Sequence, residues 1–75
     1  MHKLIDADGE FDRRAIHARA KALHNAAIER GDTGEAATFE HWSAYCWRVA
    51  RDQHEAAAPL RMAAAARAIM KGSGD

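Results

Sequence analysis

Alanine supplies 19 of the 36 hydrophobic residues in this 75-residue chain, which leaves seventeen larger apolar side chains to build an interior. Alanine buries little area, and a chain this short withdraws only about 60% of the surface that its unfolded form exposes. A single domain over residues 1–75 is expected, with no deep catalytic cavity and with a partner or a second copy as a further source of stability. Charge narrows the classes again. Eleven Lys and Arg balance eleven Asp and Glu, which argues against a polybasic nucleic-acid or membrane-surface protein and against an acidic mimic of DNA. The one cysteine, Cys46, excludes an internal disulfide framework and fits a reducing, cytoplasmic setting. The longest apolar runs, Ala56 to Leu60 and Met62 to Ala66, span five residues each, far short of a membrane span or a signal-peptide core.

The large residues that remain fall at helical spacing. Met1 to Phe11 reads as an extended lead-in with a turn at Asp8-Gly9. Asp12 is placed to cap a first helix, with Phe11 and Ile16 as its hydrophobic staple. From Arg13 the set Ile16, Ala20, Leu23 and Ala27 traces one face, and Gly31 supplies the stop. The connector Gly31 to Gly34 is short enough to return the chain as an αα-hairpin. A second helix is expected to begin near Asp32 or Thr33 and to firm up by Thr38. Its apolar face holds Phe39, Trp42, Cys46, Val49, Ala50 and Gln53, opposite Glu40, His41, Arg48, Arg51, Asp52 and Glu55, with Tyr45 and Trp47 at the flanks. Pro59 fits the first position of a shorter third helix that runs to about Lys71 and stops at Gly72. That helix has an apolar stripe of Met62, Ala66 and Ile69 with Met70 beside it, purely basic charge from Arg61, Arg67 and Lys71, and a frayed tail over residues 72–75. The expected architecture is all-α: a small bundle of two main antiparallel helices, with the aromatic-rich one at its centre and the third packed on it.

Catalytic chemistry finds little support. None of the five histidines is paired at i, i+4, and His17 and His24, seven apart, stand about 10 Å from each other along a helix. No metal ligand set is expected. Cys46 sits mid-helix on the apolar face, the place of an inert core thiol. The alternation Asp6, Asp8, Glu10, Asp12 lacks glycine where a calcium loop needs it and reads as an acidic turn plus a cap. With no phosphate cradle, nucleophile elbow or carboxylate dyad, the chain is read as non-enzymatic, without a cofactor. Residues 13–31 carry Arg13, Arg14, Arg19, Lys21 and Arg30 against Glu29, which keeps a small DNA-binding or regulatory protein as the alternative. The aromatics favour protein contact: Trp42, Tyr45 and Trp47 span too wide an arc for all three to enter a thin core, and exposed rings beside arginine are interface anchors. The candidate protein-binding residues are Tyr45, Trp47, Arg48 and Arg51 on the second helix and Arg14 and Lys21 on the first. A structural homodimer on the same aromatics is a further alternative.

Phe11-Asp12-Arg13-Arg14-Ala15-Ile16, followed by Phe39 and, eight positions on, Trp47-Arg48-Val49-Ala50-Arg51, resembles a family of small proteins encoded by phages, prophages and plasmids of proteobacteria. Its members commonly read F-D-R-x-A-I-M and later F-x-x-A-L-x-x-A-W-x-x-A-R. The likeness covers roughly Gly9 to Arg51. This chain departs from it at His17, where Met is usual, at Lys21, where Trp is frequent, and at Trp42, where a small residue is common; Trp42 is expected to take over ring volume that Lys21 lacks. The resemblance implies no known catalytic residues. It implies a context in which short mobile-element proteins bind a host protein complex, as anti-CRISPR inhibitors block a CRISPR-Cas effector sterically.

Overall fold

Asp12 starts the first helix as its carboxylate accepts from the Ala15 N–H at 3.0 Å. The computed structural model describes residues 2–73 and forms α1 (Arg13–Arg30), α2 (Phe39–Ala56) and α3 (Ala58–Ser73), with a 3-10 turn at Gly34–Ala37 between the first two. It is an all-α small helical bundle. Gly31 ends α1 in the left-handed region, at φ 83°, where an L side chain would be strained. The second helix begins later than Asp32 or Thr33. Those residues precede the 3-10 turn, and Thr38 is the cap, accepting from the His41 N–H at 3.2 Å while its hydroxyl donates to the Glu35 carbonyl at 2.7 Å.

One ring from each helix holds the 3-10 turn. Trp42 donates its indole N–H to the Ala36 carbonyl at 2.8 Å, and His24 Nε2 lies 3.0 Å from the Ala37 carbonyl, a bond that requires the Nε2–H tautomer. Ring contacts between α1 and α2 run in opposite order along the two helices. Phe11, just before α1, meets Trp47 and His54 late in α2, whereas His17 and His24 meet Phe39 at its start. The seam between them is thin. Ile16, Ala20, Cys46 and Ala50 are buried there, and Leu23, Phe39, Trp42, Trp47 and Val49 pack around them half-covered.

The lead-in is more than an extended segment. Leu4 is 2% exposed and belongs to the core. An antiparallel bridge pairs Ile5 with Phe11, the Asp12 N–H donates to the Leu4 carbonyl at 3.0 Å, and Asp6 closes the intervening loop by accepting from the Asp8 and Glu10 N–H groups. Gln53 explains why a polar residue stands on the apolar face of α2. Its side-chain oxygen accepts from the Leu4 N–H and its nitrogen donates to the His2 carbonyl, both at 2.7 Å, so one amide replaces a missing neighbouring strand. Gly9, at φ 82°, turns the loop onto the end of α2: a Cβ there would stand 2.9 Å from the Ala57 carbonyl oxygen.

α3 departs most from expectation. It begins at Ala58, one residue before the expected start at Pro59, so Pro59 sits second in its first turn, where a missing N–H is harmless, and the helix runs through Gly72 rather than stopping there. Gly74 and Asp75 of the predicted tail, like Met1 of the lead-in, lie outside the described residues. The molecule extends 59 × 18 × 18 Å, and an 18-residue helix is about 27 Å long, so α3 continues beyond the α1–α2 pair instead of lying against it. Met62 and Ile69 are each 72% exposed and Leu60 is 47% exposed. Among the described residues the expected packing of α3 along the aromatic helix is not seen: Trp47 turns to Phe11 and Phe39 to the histidines of α1, and the apolar stripe of α3 stays exposed.

Candidate protein-binding surface

The six predicted contact residues divide between different parts of the body. Tyr45 is exposed and touches the edge of Trp42, with ring centroids 5.9 Å apart. It lines a cleft with His2, Leu4, Arg19, Cys46 and Val49. Trp47 is half-buried against Phe11, with centroids 5.4 Å apart, which makes it chiefly a packing group. Arg48, Arg51, Arg14 and Lys21 are exposed. Lys21 lines a separate shallow depression with His17, His24, Asn25 and Phe39, so Phe39, not Trp42, is the ring beside it.

The histidines work as rings. His54 stacks on Phe11 at 4.3 Å with planes only 4° apart, His41 meets the edge of Trp42 at 4.9 Å, and His17 and His24 both meet Phe39. Four of the five histidines thus extend a core that is short of large side chains, and among the described residues no group of three or more His, Cys, Asp or Glu is placed to hold a metal ion. The acidic lead-in is likewise occupied structurally. Asp6 closes its own loop and Asp12 caps α1, while Asp8 faces Arg67 at 3.4 Å and Glu10 faces Arg61 at 3.8 Å. Burial pushes the Cys46 thiol up and the positive charge of Arg19 opposes that shift, leaving a neutral sulfur in the core wall.

What the sequence reading did not assign is the surface of α3. Its first turns are held to the body by Arg61, which donates to the carbonyls of Gly9 and His54. Beyond them, Met62 and Ile69, seven residues apart and so on one face, project with Ala66 between them. The stripe was visible in the sequence. Its exposure was not, since periodicity shows that a helix has an apolar face without showing what meets it. Charge on α3 is exclusively basic: Arg61, Arg67 and Lys71 give the helix +3, with no acid between Glu55 and Asp75. Among the described residues no helix is long and apolar enough to cross a membrane. Comparison with protein-family models, curated proteins and solved structures finds no match.

Proposed function

We propose that the protein is a non-enzymatic protein-binding module that docks through α3. The observation that carries this reading is the exposure of Met62 and Ile69 on a helix lying beyond the core. Large apolar side chains at i, i+7 on one helical face are the anchors by which a helix enters an apolar groove. The occupant follows from charge: Arg67 and Lys71 are exposed beyond the turn that Arg61 holds to the body, and no acid lies on the helix, which fits a protein groove with an acidic rim. A second copy fits less well, because it would present the same basic helix. In the context implied by the resemblance to mobile-element proteins, the partner is a host protein complex such as a CRISPR-Cas effector, blocked sterically, and the protein acts in the cytoplasm.

A parallel affinity capture from host lysate tests the reading with wild type, Met62→Gln/Ile69→Gln and Arg48→Glu/Arg51→Glu. Glutamine keeps helix propensity, and these two side chains lie outside the core, so the α3 variant should match wild type in circular dichroism and melting temperature. It should lose a partner that the α2 variant retains. Loss with the α2 variant alone would move the docking surface to the exposed arginines of α2. Self-association in sedimentation, or co-sedimentation with anionic vesicles, abolished by the same α3 changes would replace the protein partner with a second copy or a lipid surface.

A further inference from the structure

Two arginines are partly withdrawn from solvent among the described residues, Arg19 and Arg61. Arg61 donates to the Gly9 and His54 carbonyls and faces Glu10. The Arg19 side chain, by contrast, makes neither a hydrogen bond nor an ion pair among the described residues. A guanidinium carries five N–H donors in a planar fork that matches a carboxylate with two parallel bonds, and partial desolvation strengthens such a pair. An unmatched fork beside an apolar cleft suits a small organic acid.

The cleft is on the same side of the bundle. It encloses about 260 Å³ between the lead-in and α2, and its floor and walls are Leu4, Cys46 and Val49, with His2, Arg19 and Tyr45 at the rim. An apolar cavity of about 150 Å³ admits benzene, so this volume takes a ring or short chain together with a head group. A second depression, lined by the lead-in and by Ala15, Ala18 and Ala22 of α1, also includes Arg19 and adds Lys3, and no Asp or Glu lines either one. The floor is uncharged, because burial keeps the Cys46 sulfur protonated. Arg19 and Cys46 line the same cleft, and the positive charge of Arg19 opposes the upward shift of that thiol.

We infer that this cleft binds a small amphiphilic monocarboxylate, with its chain or ring over Leu4, Cys46 and Val49 and its carboxylate on Arg19. The site is separate from α3 and does not depend on the docking reading. A free organic acid and the C-terminal carboxylate of a peptide share this chemistry, and the experiment separates them.

Titration of the full chain with sodium octanoate, followed by amide chemical shifts, should move the resonances of Leu4, Tyr45 and Val49 with a Kd of about 1 mM or tighter. Octanol, which has the chain without the charge, should bind at least tenfold more weakly, and Arg19→Gln should lower octanoate affinity by a similar factor. Arg19 has no structural partner to lose, so that variant should keep the melting temperature of wild type; Arg19→Lys, which retains the charge but not the fork, should recover part of the affinity. Equal binding of octanoate and octanol, unchanged affinity in Arg19→Gln, or shifts confined to α3 would each overturn the assignment. In a second arm, an acetylated tetrapeptide ending in phenylalanine is compared with its C-terminal amide. Arg19-dependent binding of the acid form tighter than octanoate assigns the site to chain termini, and binding of octanoate alone assigns it to free acids.

Discussion

The α1–α2 pair and α3 are built from the same alanine-rich material and end in opposite states. In the pair, the small residues at the seam are covered by large ones: Ala20 and Ala50 are buried while Phe11, Phe39, Trp42 and Trp47 close over them, and four histidine rings extend the cover. In α3 the large residues Met62 and Ile69 project, and the helix is held to the body by Arg61 and by the exposed pair of Arg67 with Asp8. An apolar stripe is thus a request for a partner, and whether the chain itself supplies one depends on where the aromatics point.

The sharpest way to break this contrast is to make one substitution in both regions. Ile16→Ala removes one of the two largest fully buried side chains, and it should cost about 2–4 kcal/mol in urea unfolding. Ile69→Ala deletes the same atoms from an exposed site and should change stability by less than about 0.5 kcal/mol. Equal effects would mean that α3 is packed in solution. Next in size is the joint between the regions. Gly9→Ala places a Cβ 2.9 Å from the Ala57 carbonyl oxygen at a positive φ, which should cost about 1–3 kcal/mol. The loss should be accompanied by faster hydrogen exchange at Leu60 and Arg61, whose N–H groups donate to that carbonyl.

Gln53→Ala tests the clamp on the lead-in. Two hydrogen bonds to the His2–Leu4 backbone disappear, with an expected loss of about 1–2 kcal/mol. Release of Leu4 from the core would appear as a shift of its methyl resonances toward those of an exposed leucine. This contact also marks the limit of what the sequence discloses. The helices were legible because Asp12, Gly31 and Pro59 carry local, mechanistic signals and because Ile16, Ala20, Leu23 and Ala27 repeat at helical spacing. The later start of α2 was not, since Asp32, Thr33 and Thr38 are all competent caps and the choice rests on Trp42 and His24 reaching back to the 3-10 turn. Leu4 and Gln53, forty-nine residues apart, find each other only in three dimensions. The site was legible to the same degree. Tyr45 lies at the surface as the crowded arc of rings requires, while Trp47 turns inward because Phe11 offers it a face. The exposure of Met62 and Ile69 depends on how α3 leaves Ala57, which no periodicity records.

A smaller effect comes from the buried thiol of the body, which has no counterpart in α3. Burial raises the Cys46 pKa, so the folded chain holds a proton that the unfolded chain has begun to lose. The contribution is complete below the ordinary thiol value, about 8.5, and declines as pH rises from there through the raised folded value. Urea unfolding at pH 7 and at pH 10 should therefore show a loss of stability in wild type that shrinks in Cys46→Ala. Alanine shifts both measurements by the packing it removes, and the difference between them isolates the thiol.

The smallest expected effect concerns what holds α3 at its angle. Arg67 and Asp8 face each other at 3.4 Å with both side chains about two-thirds exposed, and Glu10 faces Arg61 at 3.8 Å. Exposed pairs of this kind contribute about 0–1 kcal/mol each, and at 1 M salt the screening length falls to about 3 Å. Asp8→Asn should therefore leave global unfolding within about 0.5 kcal/mol of wild type. Its influence is local, because Arg67 lies two turns beyond the carbonyl contacts of Arg61 and Asp8 is the acid that faces it there. Hydrogen exchange of the α3 amides beyond Ala64 should quicken in Asp8→Asn and in wild type at 1 M salt, with α1 and α2 unchanged in both. If salt left α3 exchange unaltered while Gly9→Ala still accelerated it, the backbone joint at Ala57, and not the ion pairs, would set the position of the helix.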